Sequence, residues 1–228
     1  MIGELLPDSA ASHETFEDYG EELLYEEELA LLGKAVPKRR REFATVRVCA
    51  RRALSGLGRP PAPLLPGTRN APVWPAGVVG SMTHCDGYRA AAVARVSDLM
   101  ALGIDAEPNL PLPEGVLGSI ALPAEAAWAE DAQADDARAG PVQRGRLLFS
   151  AKESVYKAWY PMMSTELDFS DARVEFTGVE AGGGTFTAVL TPDPVTGLDR
   201  PVTAFAGRWL VRSGFILTAV SVRASSGR

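Results

Sequence analysis

Two carboxylates lie two residues apart in the stretch LGIDAEP, residues 102–108. In a strand, successive side chains leave on opposite faces. Asp105 and Glu107 therefore share a face with Gly103, and Leu102, Ile104 and Ala106 take the other. Like charges at this spacing repel unless something positive stands between them. Farther along, FSAKESVYKAWYP, residues 149–161, carries Lys152, Glu153 and Lys157. Glu153 and Lys157 are four apart and so are neighbours on a helix surface. Alone, that pair is an ordinary surface contact worth about 0.2–0.5 kcal/mol, and the strand pair is an exposed sheet face. Together, Asp105, Glu107 and Glu153 form an all-oxygen ligand set suited to a hard cation such as Mg²⁺, which keeps waters and bridges to substrate phosphates. Gly103 adds no side chain and leaves room for it. Lys157 would stand near a bound phosphate. This is the inventory of a phosphoryl-type transfer, in which positioning and charge neutralisation do most of the work.

Other chemistries lack their signatures. There is no GxxxxGK[ST] and no GxGxxG, so P-loop and dinucleotide-binding readings are unsupported. His84 lies near Ser81 without a nucleophile elbow, and Cys85 beside it lacks zinc-ligand spacing. His13 carries no weight. The net charge of −6 argues against nucleic acid as the main partner. Charge is segregated, however. Residues 14–28 hold eight acids and no base, whereas residues 34–52 hold eight bases and one acid, Glu42. The basic run suits a specific anion, or simply a solvated helix face. The acidic run is either a helix packed on the basic one or a solubilising leader. No apolar run approaches the roughly 18–20 residues that span a bilayer. The acidic N-terminus does not read as a secretory signal. Two cysteines, too few for a disulfide framework, point to a reduced cytoplasm.

These residues need elements to place them. Residues 38–57 read as a helix with a buried stripe of Phe43, Val46, Ala50, Leu54 and Leu57, ended by Gly56, Gly58 and the prolines at 60 and 61. Arg40, Arg47 and Arg51 share another of its faces. A Pro-rich connection follows. VVGSM and YRAAAVARV read as strands flanking THCDG. A helix starts near Pro123, DAQADDARAGP reads as a mobile polar segment, and RLLFSAKESVYKAWYPMM reads as a second long helix. In that helix Leu148, Ala151, Val155 and Trp159 face inward, and Pro161 stops it. ARVEFTGV, TFTAVLT, TAFAGRWLV and GFILTAVSV read as strands, the last two joined by a hairpin turn at RSG. Strands and helices do not alternate, which favours an α+β fold over a doubly wound parallel sheet. Each half repeats a plan of one long helix with antiparallel strands.

GSMTHCDGYRAAAVA, LGIDAEP and FSAKESVYKAWYP, in this order, resemble the three motifs of the Sfp-type 4′-phosphopantetheinyl transferases, most closely the actinobacterial enzymes that activate polyketide, fatty-acid and peptide synthetase carriers. The likeness extends to KRRREFATVRVCAR and PVWP, and spans most of residues 36–165. It implies a pseudo-dimer of two similar α+β halves, residues 1–98 and 99–228, with coenzyme A in the cleft between them. It also implies transfer of the phosphopantetheine arm to a serine of an apo acyl or peptidyl carrier protein, with release of 3′,5′-ADP, by a monomer. By motif position, Asp105, Glu107 and Glu153 would hold Mg²⁺ against the coenzyme A diphosphate. Glu153 would help deprotonate the serine, directly or through water, and Lys157 would stabilise the transition state and protonate the leaving ADP. Thr83 and His84 would contact coenzyme A phosphate, Arg39 and Arg47 would grip the 3′-phosphate, and Lys152 would face the phosphates. Pro66 stands where close relatives carry a lysine, with Arg69 as the candidate substitute. Two other readings remain: a Mg²⁺-dependent transferase on another nucleotide diphosphate, and a non-catalytic module that binds coenzyme A or carriers.

Overall fold

A computed structural model describes residues 1–131, 142–179, 182–191 and 202–224 of the chain. It contains two antiparallel sheets, each backed by a 20-residue helix, an α+β architecture. The first sheet has the order β1-β3-β2, with β1 at Ala10–Thr15, β2 at Val78–Cys85 and β3 at Tyr88–Arg95. The second has the order β4-β8-β7-β6-β5, from β4 at Leu99–Pro108, β5 at Ala172–Thr177 and β6 at Gly183–Leu190 to β7 at Ala204–Arg212 and β8 at Phe215–Arg223. Helix α1 is a single turn at Glu26–Leu29, and α2 covers Pro37–Gly56. Short α3 and α4, at Val116–Ile120 and Pro123–Glu130, precede α5 at Arg144–Met163.

The long helices fall where the apolar periodicity places them. Pro37 opens α2, where its fixed φ and missing N–H cost nothing. Pro161 does not stop α5, contrary to the expectation. It sits in the last turn, and the helix ends two residues later, where Ser164 turns left-handed (φ 54°) and donates its N–H to Tyr160 O at 2.8 Å. The strand expected as VVGSM runs on through Thr83 and His84 to Cys85, so only Asp86 and Gly87 turn the chain into β3. The β7–β8 hairpin turns at Ser213 and Gly214, both at positive φ, the geometry a two-residue hairpin needs. The polar segment DAQADDARAGP, apart from Asp131, lies outside the described residues. No described helix is long and apolar enough to cross a membrane.

The acidic segment is a wrapping, not a leader. Its first two residues, Glu14 and Thr15, end β1, and the rest folds over the outer face of α2. Leu24 and Leu32 pack on Ala44 there. Glu21 pairs with Arg40, Asp18 with Arg41 and Arg89, and the fully buried Glu28 with Arg51. Helix α2 is thus enclosed on two sides. Cys49, Ala50, Ala53 and Leu54 face the sheet, and much of the basic face is neutralised from within.

Strand β4 is covered on three sides although it is a sheet edge. Leu102, Ile104 and Ala106 pack with Tyr88, Ala90, Ala92 and Ala94 of β3. Its other face meets α5. Along its open edge, the Ile104 N–H donates to Ser81 Oγ and the Ala106 N–H to Thr83 Oγ1, both at 3.1 Å. Two hydroxyls two residues apart on β2 therefore stitch the sheets together and satisfy the donors an edge would leave bare.

Candidate active site

Gly103 decides how α5 lies on β4. A Cβ there would collide with the carbonyl oxygen of Ser154 and come within 2.7 Å of the Ala158 nitrogen. The space expected to admit a cation is filled by helix backbone. The bare glycine lets α5 settle directly on the carboxylate strand, and Arg146, Glu153 and Lys157, spaced seven and four apart on one helix face, come beside Asp105 and Glu107.

Protein cations answer the repulsion of the two carboxylates. Lys157 Nζ donates to Asp105 Oδ1 at 2.6 Å, and Arg146 Nη1 donates to Glu107 Oε2 at 3.0 Å. Arg146 was missed from sequence. Its spacing to Glu153 was the available signal, but its other two bonds, to the Leu110 and Pro111 carbonyls, are tertiary. Asp105 is 4% exposed, and its buried Oδ2 has no hydrogen-bond partner among the described residues. Burial, then the nearby Asp105 charge, pushes the Glu107 carboxyl up to about 7. Burial likewise raises the Glu153 carboxyl, with Lys157 opposing and Asp105 assisting.

The opposite wall comes from β2 and α2. Arg39 Nη1 donates to His84 Nε2 at 3.1 Å. Burial, and next the Arg39 charge, lowers the His84 imidazole to about 4, so the ring is neutral at pH 7 with Nε2 as acceptor. Arg47 is buried, its guanidinium carbon 3.2 Å from the Phe43 ring centroid, with Nε donating to Leu64 O at 3.0 Å and Nη1 to Phe43 O at 3.3 Å. Burial lowers its pKa to about 10, which leaves it charged. Arg69 bridges from its loop to Glu166.

One cleft of about 520 Å³ gathers many of these side chains, but Asp105, Glu107 and Arg146 are not among its lining residues. Arg39, Glu42, Arg47, Arg69 and His84 line one side and Glu153 and Lys157 the other, with Trp74, Tyr156 and Tyr160 among the aromatic walls. Glu42, Tyr156 and Tyr160 were not singled out from sequence, because an acid in a basic run and tyrosines in an amphipathic helix read as surface and core.

Lys152 and Thr83 also lie outside this lining. Lys152 is buried, and its Nζ donates to Glu125 Oε2, Ile120 O and Phe169 O at 2.7–2.8 Å. All three ammonium donors are committed, so it fastens α5 to α4 and the chain before β5 and has none left for a phosphate. Thr83 is turned into the seam, where it donates to Asp105 Oδ1 at 3.2 Å while accepting from Ala106. It orients the carboxylate and does not face the cleft.

The donor chemistry fits a hard cation: oxygen ligands, one of them an orphaned buried carboxylate oxygen. Among the described residues, no three His, Cys, Asp or Glu side chains already stand together as a cage.

Fold and cleft define a protein whose basic groups face Glu153 and Lys157, an arrangement suited to a phosphate-bearing ligand. The model of the 4′-phosphopantetheinyl transferase N-terminal domain matches residues 26–94, and that of the 4′-phosphopantetheinyl transferase superfamily matches residues 101–208. The chain is 54% identical to 4′-phosphopantetheinyl transferase Svp of Streptomyces mobaraensis, over all of this chain and 91% of that protein. It is 45% identical to the transferase Npt of Nocardia iowensis, over 97% of this chain and 99% of that one. It is 46% identical to PptT of Mycobacterium tuberculosis, over 85% and 84%. The chain belongs to the 4′-phosphopantetheinyl transferase superfamily.

Proposed function

We propose that this protein transfers the 4′-phosphopantetheine arm of coenzyme A to a serine hydroxyl of apo acyl and peptidyl carrier proteins in polyketide, peptide or fatty-acid synthesis. The serine oxygen forms a bond to the phosphorus that bears the pantetheine, the bond from that phosphorus to the bridging oxygen breaks, and 3′,5′-ADP leaves. The observation that carries this reading is the meeting of Glu153 and Lys157 with Arg39, Arg47 and His84 across one cleft in a chain of this family.

Glu153 is the acceptor for the serine proton, and burial, which raises its affinity for a proton, favours that task. Lys157 is the cation at the breaking diphosphate and the proton donor to the departing ADP. It also donates to Asp105 Oδ1. Arg39 and Arg47 hold the terminal phosphate, since a guanidinium fork matches a phosphate better than a point charge does. Neutral His84 keeps Arg39 aimed into the cleft and is available to a phosphate oxygen through its other ring nitrogen. Asp105, Glu107 and Glu153 would hold Mg²⁺. When bound, it supplies charge neutralisation on the diphosphate. The two helix-backed sheets are the halves of a pseudo-dimer, near residues 1–98 and 99–228. One chain walls the cleft, so a monomer suffices. The free thiols of Cys49 and Cys85 suit the cytoplasm.

Apo carrier, coenzyme A and Mg²⁺ incubated with the protein will give a carrier heavier by one phosphopantetheine, read by intact-mass spectrometry. No mass gain across acyl and peptidyl carriers overturns the proposal.

A further inference from the structure

We infer that Glu28 is a positioning residue that fixes the Arg47 guanidinium at the anion-binding side of the cleft. This rests on the proposed role of Arg47 in holding a phosphate of coenzyme A.

Glu28 sits in the acidic segment, outside the motifs of the site, yet its side chain has no solvent exposure. A carboxylate buried to this degree must be fully engaged. Both oxygens accept from Arg51 Nη1 at 2.9 Å. Oε1 also accepts the Leu64 N–H at 2.8 Å, and Oε2 accepts the Tyr25 N–H at 3.1 Å. The Leu64 peptide then works as a bracket. Its N–H is held by Glu28, and its C=O receives Arg47 Nε at 3.0 Å. Arg47 Nε is itself 3.9 Å from Glu28 Oε1. With Nη1 tied to Phe43 O and the Phe43 ring beneath it, the guanidinium is held at its base and lower edge and lines the cleft.

The Glu28 side chain is linked to the cleft lining through Arg47, directly and by way of the Leu64 peptide. It gathers α1, α2 and the Pro-rich connection at one point, and the product of that gathering is a preset arginine. An arginine held in place loses less conformational freedom on binding an anion than a free one, and that difference appears in affinity.

The test is a double-mutant cycle on Glu28→Gln and Arg47→Ala in the full chain. Coenzyme A affinity is read by calorimetry, KM and kcat by carrier modification, and folding by thermal melts. Glu28→Gln is expected to weaken coenzyme A binding roughly five- to tenfold, raising KM with kcat at saturation retained. In the Arg47→Ala background the same change is expected to have no further effect on affinity. If Glu28→Gln does not fold, Glu28→Asp, which retains the charge but withdraws it by one methylene, carries the same test. Unchanged coenzyme A affinity in Arg47→Ala would remove the reading on which the inference rests. An affinity loss in Arg47→Ala with none in the Glu28 variant, or with losses that multiply in the double variant, overturns the inference alone.

Discussion

Glu153 and Lys157 stand one helical turn apart, yet Lys157 reaches across to Asp105 at 2.6 Å. This separates their duties: one carboxylate keeps a raised proton affinity, while the other is already matched with a cation. Glu153→Ala should therefore lower kcat by about 10²–10⁴-fold, the usual worth of a positioned base. Coenzyme A affinity should stay near that of the parent, because the arginines on the far wall are untouched. Stopped assays together with calorimetry check both halves, and a variant that turned over normally would displace Glu153 as the base. Glu107 gives a pH signature. Its folded pKa of about 7 lies above the ordinary value of 4.5. Between these values the native state binds more protons than the unfolded chain, so stability is greatest below about 4.5 and is lost as pH rises through 7. In metal- and ligand-free protein, Glu107→Gln should raise the melting temperature at pH 8 by ~2–4 °C, about 1 kcal/mol after discount for solvent screening. That gain should vanish near pH 4.5, and equal melts of the two proteins at pH 8 would refute it.

At the scale of elements, the contact between α5 and β4 rests on a missing side chain. Gly103→Ala forces a methyl group into the Ser154 carbonyl and the Ala158 amide, both rigid backbone. Overpacking of this kind costs roughly 1–3 kcal/mol. Here it should also lift Lys157 and Arg146 away from their carboxylates. Urea unfolding should show the stability loss and carrier modification a larger fractional fall in rate, whereas loss of stability with full activity would separate packing from the site. The long helices, the β7–β8 hairpin and the carboxylate strand were legible in the sequence, because apolar period, turn residues and helix ends are local properties. Strand β1 was not. AASHET has no apolar alternation, and all six residues are partly exposed, since it is a strand through its pairing with β3. The directions of Lys152 and Thr83 were equally hidden. A lysine beside Glu153 and a threonine beside His84 look like ligands, but Glu125 and the Ala106 amide, distant in sequence, turn them inward. The acidic run was ambiguous for the same reason: its charges have partners only once α2 lies beneath it.

For the whole molecule, the question is what keeps the two helix-backed sheets in register, since each supplies one wall of the cleft. They share the apolar layer between β3 and β4, but apolar contact is non-directional and sets no register along a strand. The hydroxyls of Ser81 and Thr83 do, because each takes one specified N–H of β4. Their work differs. Among the described residues Ser81 accepts only from Ile104, whereas Thr83 also donates to Asp105. Ser81→Ala should leave the Ile104 N–H buried and unpaired, at a cost of about 1–3 kcal/mol. Hydrogen exchange at Ile104 should accelerate, with the Asp105–Lys157 pair intact. Thr83→Val keeps the shape and should cost a similar amount through Ala106, but it also releases one of the two donors on Asp105 Oδ1. Normalised for folded protein, carrier modification should therefore fall further in Thr83→Val than in Ser81→Ala. Equal rates in the two variants would mean that the seam only joins the sheets and that Asp105 is oriented by Lys157 alone.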